Sequence, residues 1–286
     1  MFDLRYHVAS LAAVFIALVL GILVGVGISG RGLIKESERG VLQAQIDDLR
    51  NQRDAAQRQV AEQNALQEYE RETYPVVMRN RLADQRVGVV YIGSAEGDVA
   101  AGVRETLARA GAPAPRVRAL KVPIATGDLL RAAARVPDGP KTVEDLGRAL
   151  AAELVAEGET PLWDAVGSSL VEEREGSGFS ALDAVVVART AEPQRGQTAR
   201  FLSGFYSGLA GAGIPVVGVE TIDDEPSAVP IFRRHGFSTV DNVETPTGRV
   251  ALAVLLQGNE SPGAYGVKDG VDAVLPNVEP VVPPQG

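Results

Sequence analysis

Apolar positions are distributed along this chain in three different ways. From Val8 to Ile28 there are 21 consecutive uncharged residues, and only Ser10 among them carries a polar side chain. At about 1.5 Å per helical residue, such a run spans about 30 Å, the hydrocarbon thickness of a bilayer. It has no polar stripe of the kind a core helix shows, and it exceeds the usual h-region of a secretory signal. A membrane anchor over residues 1–30 is the expectation, with cleavage near Gly27, Ser29 and Gly30 as the alternative. Ala9, Ala13, Ala17, Gly21, Gly25 and Ser29 recur every fourth residue in the same run. Small side chains at that spacing let two helices approach closely in lipid.

The second pattern follows at once. Leu42, Ile46, Leu49, Arg53, Ala56 and Val60 are separated by alternating steps of four and three, a coiled-coil seam with one charged interruption. The phase slips afterwards, since Leu66 lies six residues past Val60. A stalk over residues 31–85 is expected, either as a coiled coil with a second copy or as a single helix lying on the following domain.

The third pattern begins at Arg86. RVGVVYIG, PRVRALKV, ALDAVVVA and IPVVGVE are short, nearly continuous apolar runs bounded by Gly, Pro and Asp, and FSTVDN is a fifth candidate. Such runs suit strands buried on both faces of a mainly parallel sheet. DVAAGVRETLARAGA, KTVEDLGRALAAELVAEG and QTARFLSGFYSGLAGAG read as helices between them. Thr245 followed by Pro246 reads as an N-cap and first helical residue opening a further helix. The expected fold class is α/β, a Rossmann-like or flavodoxin-like domain over 86–275. Thr126–Glu175 reads as a helix-rich insertion or cap, and the Pro-rich end, 276–286, as disordered.

Charge refines this picture. The formal net charge is −9, and the whole excess falls in residues 87–286, with 17 basic against 26 acidic side chains. A domain of that sign offers no footprint for nucleic acid. Basic residues near the anchor (Arg5 before it; Arg31, Lys35 and Arg39 after it) leave the orientation open, because long domains translocate largely regardless of local charge.

Candidate chemistry is sparse. The loop GSAEGD (Gly93–Asp98) follows the first strand, where nucleotide domains bind phosphate. It lacks the G-x-G-x-x-G spacing and the P-loop lysine, and its two acids would repel an anion, so it reads as an ordinary turn. ETIDDE (Glu220–Glu225) follows the IPVVGVE strand. Its oxygens suit a hard cation, but no fixed ligand spacing is present, and a solvated loop is the preferred reading. There is no cysteine, and the only histidines are His7 and His235. His235 reads as a capping or packing residue rather than a metal ligand. No catalytic motif stands out, no site residue or cofactor is assigned, and a non-enzymatic protein is expected.

FDLRYHVASLAAVFIALVLGILVGVGI, STVDNVETPTGRVALAVLL and GAYGVKDGVDAVLP together resemble the actinobacterial copper transporter family MctB. The resemblance implies an envelope protein with its large domain outside the cytoplasm, acting in copper efflux or resistance through a channel in the outer envelope. Copper enters only through this resemblance: Cu(I) prefers Cys and Met, Cu(II) imidazole, and Met1, Met78, His7 and His235 are widely separated. The residues themselves favour a second reading, a scaffold or regulator of envelope machinery. Membrane lipid, a second copy of the chain and another envelope protein are the expected partners.

Overall fold

The computed structural model describes residues 4–29, 36–176, 180–258 and 262–279. The side chains of 4–9, 26–29 and 36–39 fall outside that description, as do Met1 and most of the expected Pro-rich tail. The chain divides into two compact units, Met1–Glu68 and Tyr69–Gly286.

The first unit is helical. Helix α1 covers Leu4–Ser29, and α2 starts at Glu36 and runs to Met78, so its last turns belong to the second unit. Among the described residues, no helix is long and apolar enough to cross a membrane; in α1 the side chains described are those of 10–25. Leu42, Ile46, Leu49 and Val60 on α2 are each about half exposed or more, so the 4–3 seam is left uncovered among the described residues.

The second unit is built on a seven-stranded sheet in the order β3-β2-β1-β4-β5-β6-β7. Its strands are β1 (Val87–Ile92), β2 (Arg116–Leu120), β3 (Val171–Glu175), β4 (Ala184–Arg189), β5 (Val216–Val219), β6 (Ser238–Val240) and β7 (Ala264–Tyr265). All neighbours pair in parallel except β2 and β3. The near-continuous apolar runs form strands because both faces are covered, and every residue of β1 and β5 is buried.

One face carries α3 (Gly97–Arg109), α9 (Pro246–Leu256) and the end of α2, where Met78 and, in the following turn, Leu82 are fully buried. The other carries α4 (Thr126–Ala133), α5 (Val143–Val155), α6 (Pro161–Leu170), α7 (Gly196–Ala210) and α8 (Val229–Arg234). Thr245 caps α9 by accepting from the Gly248 N–H at 3.1 Å, as the Thr-Pro pair predicts.

The region 126–175 is an integral layer. Helices α5 and α7 cross at glycines: a methyl on Gly204 would overlap the Glu144 carbonyl oxygen, and one on Gly208 would sit 2.7 Å from the Arg148 carbonyl oxygen. Glu153 on α5 accepts from the Leu162 and Trp163 N–H groups at 3.0 and 3.1 Å, capping α6.

Candidate functional site

In doubly wound sheets, ligands bind beyond the carboxyl ends of the strands where the chain reverses its order, here between β1 and β4. That crevice is filled by the protein itself. Thr190 N and Ala191 N, just past β4, donate to the Ile92 carbonyl at 3.1 and 3.0 Å. The Thr190 hydroxyl donates to the Ser94 carbonyl at 2.7 Å. Gly93 takes φ +115°, and a methyl there would lie 2.8 Å from Thr190 Oγ1 and 2.9 Å from the Ala191 Cβ. The GSAEGD loop is a tight turn locked to its neighbour.

The open end lies further along the sheet, past β5, β6 and β7. A cleft of about 770 Å3 is lined there by residues from 222 to 233 and from 267 to 271, with Asp241 at its floor. Its frame is a set of buried charges. Glu220, the first residue past β5, is only 1% exposed. Its carboxylate accepts from the Ser227 hydroxyl at 2.7 Å, the Ala228 N–H at 2.6 Å and the Lys268 ammonium at 2.8 Å. Lys268 also donates to the Asp224 carbonyl at 3.0 Å.

Asp241, the residue after β6, is buried and accepts from Val267 N at 2.8 Å and Lys268 N at 3.0 Å. Gly266 lets that segment come so close: its φ is +140°, and a methyl there would overlap the Asp241 carboxylate. Glu244 reaches back to accept from Ile222 N at 2.9 Å. Carboxylates at the ends of two adjacent strands thus pin the 266–268 segment across the sheet top.

This alters the expected reading of ETIDDE. Asp223 and Glu225 are exposed, as a solvated loop requires, but Glu220 is an internal structural anion and Asp224 folds back to accept from Thr221 N at 2.7 Å. Among the described residues, no group of three or more His, Cys, Asp or Glu side chains is arranged to hold a metal ion.

His235 closes α8 as its C-cap. Its ring lies 5.4 Å from Tyr206 and 6.3 Å from Phe237, and burial, then the neighbouring Arg234, holds its pKa below the ordinary value. The fold does bring a serine to it, a placement that no local pattern announces: Ser207 Oγ lies 3.4 Å from Nδ1.

On the far side of the sheet, Arg118 on β2 is 2% exposed and donates to the Val117 and Glu175 carbonyls at 2.6 and 2.7 Å. Burial, followed by Arg174 and Arg116, pulls its pKa down to about 10.

The architecture is that of an open, doubly wound α/β domain preceded by long N-terminal helices, with its framed cleft displaced from the switch point. The chain belongs to the family described as "Copper transport outer membrane protein, MctB", which it matches over residues 1–276. Two of the three stretches carrying the resemblance, 238–256 and 263–276, meet at the cleft. Similar proteins include the copper transporter MctB of Mycobacterium bovis (strain ATCC BAA-935 / AF2122/97), 26% identical over 317 residues, covering 96% of this chain and 99% of the relative. Copper transporter MctB of Mycobacterium tuberculosis, strains H37Rv and CDC 1551, shows the same identity and coverage.

Proposed function

We propose that the chain serves copper transport in the cell envelope, held in the cell membrane by α1 as a single span, with the α/β domain outside the cytoplasm and two copies paired through α1 and α2. Family membership across residues 1–276 is the observation that carries the copper role. The uncharged run Val8–Ile28 supports the anchor, as do the large apolar side chains between Leu11 and Val24, which are 45–73% exposed on all sides of α1. The exposed seam of α2 supports the pairing. An outer envelope membrane, named in the family description, is the alternative location.

The domain contributes by contact with protein rather than by holding the ion. Met78 is fully buried in the core, and His235 is spent on an aromatic contact and a helix end. The central strands are covered on both faces by helices and the exposed positions of edge strand β3 are charged, so this sheet presents no lipid-facing wall of the kind a transmembrane barrel needs. These placements favour a scaffold or regulator of an envelope copper system as the domain's mode of action.

Three measurements test the proposal. A strain lacking the gene should become copper-sensitive and recover with the intact chain; unchanged tolerance would refute the copper role. Titration of the purified chain with Cu(I) and Cu(II) should show no site tighter than about 1 μM, and a tighter one would refute the division of labour. Silence in a planar bilayer is expected, and steady conductance would restore the channel.

A further inference from the structure

In the second unit beyond α2, the large apolar side chains that stand exposed among the described residues are Ile222, Val267 and Val274. Ile222 and Val267 line the same cleft, together with Val229, Pro230 and Val271. Isolated exposed apolar residues need no explanation, but these converge on one concave surface, where a partner's side chains lose water most completely.

The charges around the cleft select the partner. Its two cations each have partners, Lys268 inside the frame and Arg233, whose side chain is 46% exposed, at the surface. Lys268 is tied to Glu220 at 2.8 Å, and Arg233 donates to the Gly270 carbonyl at 3.0 Å with Asp272 at 4.0 Å. Glu225 and Asp269 line the cleft, are exposed and enter no ion pair among the described residues. The surface left for a visitor is therefore apolar at the centre and net anionic at the rim, where Glu225 and Asp269 outnumber Arg233. It repels acidic ligands and favours apolar side chains flanked by lysine or arginine, whose stems can lie along Val267 and Val271 while their heads reach the rim carboxylates.

We propose that the Ile222–Val267 cleft docks an extended segment of another protein in which apolar residues alternate with lysine or arginine. This rests on the scaffold mode proposed above and supplies its contact surface. The rigid frame of Glu220, Asp241 and Lys268 holds both walls, so little ordering opposes binding.

The test uses the full-length chain in detergent and three labelled peptides: Lys-Val-Lys-Leu-Lys-Val-Lys, the same sequence with Glu for Lys, and the same with Ser for the apolar residues. Fluorescence anisotropy should show the first binding at least about tenfold more tightly than the other two, with affinity falling as salt rises. Ile222→Ser and Val267→Ser, which remove the apolar contact at exposed positions without changing the charge, should each weaken it by about tenfold or more. Equal binding of all three peptides, an unchanged affinity in both variants, or no binding of the first peptide would overturn the proposal. Displacement of the first peptide by equimolar spermidine would reassign the cleft to a small polyamine and overturn it as well. The assay contains no copper, so its failure leaves the copper role standing, and failed complementation leaves the cleft standing.

Discussion

The charge frame of the cleft makes a quantitative demand on Lys268. Glu220 is 1% exposed, and its carboxylate has three partners: a hydroxyl, a backbone N–H and the Lys268 ammonium. Replacing Lys268 with Met keeps the stem and removes the counter-charge, leaving a buried anion with neutral donors alone. Removing one member of a buried pair costs roughly 3–5 kcal/mol. The Lys268 side chain is 19% exposed, so the lower end applies, about 3 kcal/mol. The assay is urea unfolding of the intact chain, followed by the fluorescence of Trp163, the single tryptophan, which is buried in α6 and reports global unfolding. With a urea slope of about 3 kcal/mol per molar, the midpoint should fall by roughly 1 M. Lys268→Arg should retain most of the stability, and adding Glu220→Gln to Lys268→Met should recover more than half of the loss, because a neutral amide tolerates burial better than a lone carboxylate. A midpoint within about 0.2 M of wild type, or a double variant no better than Lys268→Met alone, would refute the pinning role.

Gly204→Ala should destabilise by about 1–3 kcal/mol, since the added methyl forces α7 away from the Glu144 carbonyl; Gly127→Ala, with open space around it, should stay within about 1 kcal/mol. Equal effects in the same urea assay would argue against the close helix crossing. His235 has its pKa lowered by burial, so the unfolded chain binds more protons; its contribution is present above about pH 6.5 and is lost as pH falls through the lowered folded value. His235→Gln should flatten that acid slope in thermal melts, and an unaltered slope would assign it elsewhere. In sedimentation of the detergent-solubilised chain, Arg53→Ile should strengthen self-association by putting an apolar residue into the Leu42–Val60 seam, while Gly21→Leu with Gly25→Leu should weaken it. An oligomer indifferent to both would remove α1 and α2 from the pairing.

Five of the seven described strands were legible because burial on two faces writes an uninterrupted apolar run: the runs expected at 86–93, 115–122, 214–220 and 237–242 contain β1, β2, β5 and β6, and the run at 181–188 holds all of β4 but Arg189. Strand β3 was not. Val171–Glu175 reads VEERE, with four of its five residues exposed, because an edge strand is protected by charge rather than marked by apolarity. Strand β7, two residues long, and α8, six residues long, are too short for any period to appear. The end of α2 was legible only as the alternative of a helix lying on the domain, without the place where that begins. Tyr74, Val77 and Met78 pack against the domain's core, yet they continue a polar helix whose earlier turns are exposed, and sequence marks no change at residue 69.

The cleft was illegible because its frame is assembled from residues that mean nothing locally. Glu220, Asp241 and Lys268 come from segments 20 or more positions apart, and each looks like an ordinary surface charge in its own neighbourhood. Parallel strands bring them together: β5 and β6 are adjacent, so the first acidic residue past each arrives at the same end of the sheet. Meanwhile the place where this fold class ordinarily binds ligand is closed by Gly93 against Thr190. In this chain Met78 is buried in the core and His235 sits at a helix end beside Tyr206. The edge past β5, β6 and β7 exposes Ile222 and Val267 with two carboxylates, Glu225 and Asp269, beside one guanidinium, Arg233. Selectivity on such a surface comes from a partner's shape and charge, which is why the cleft, rather than a bound ion, is where the domain's part in copper handling should be tested.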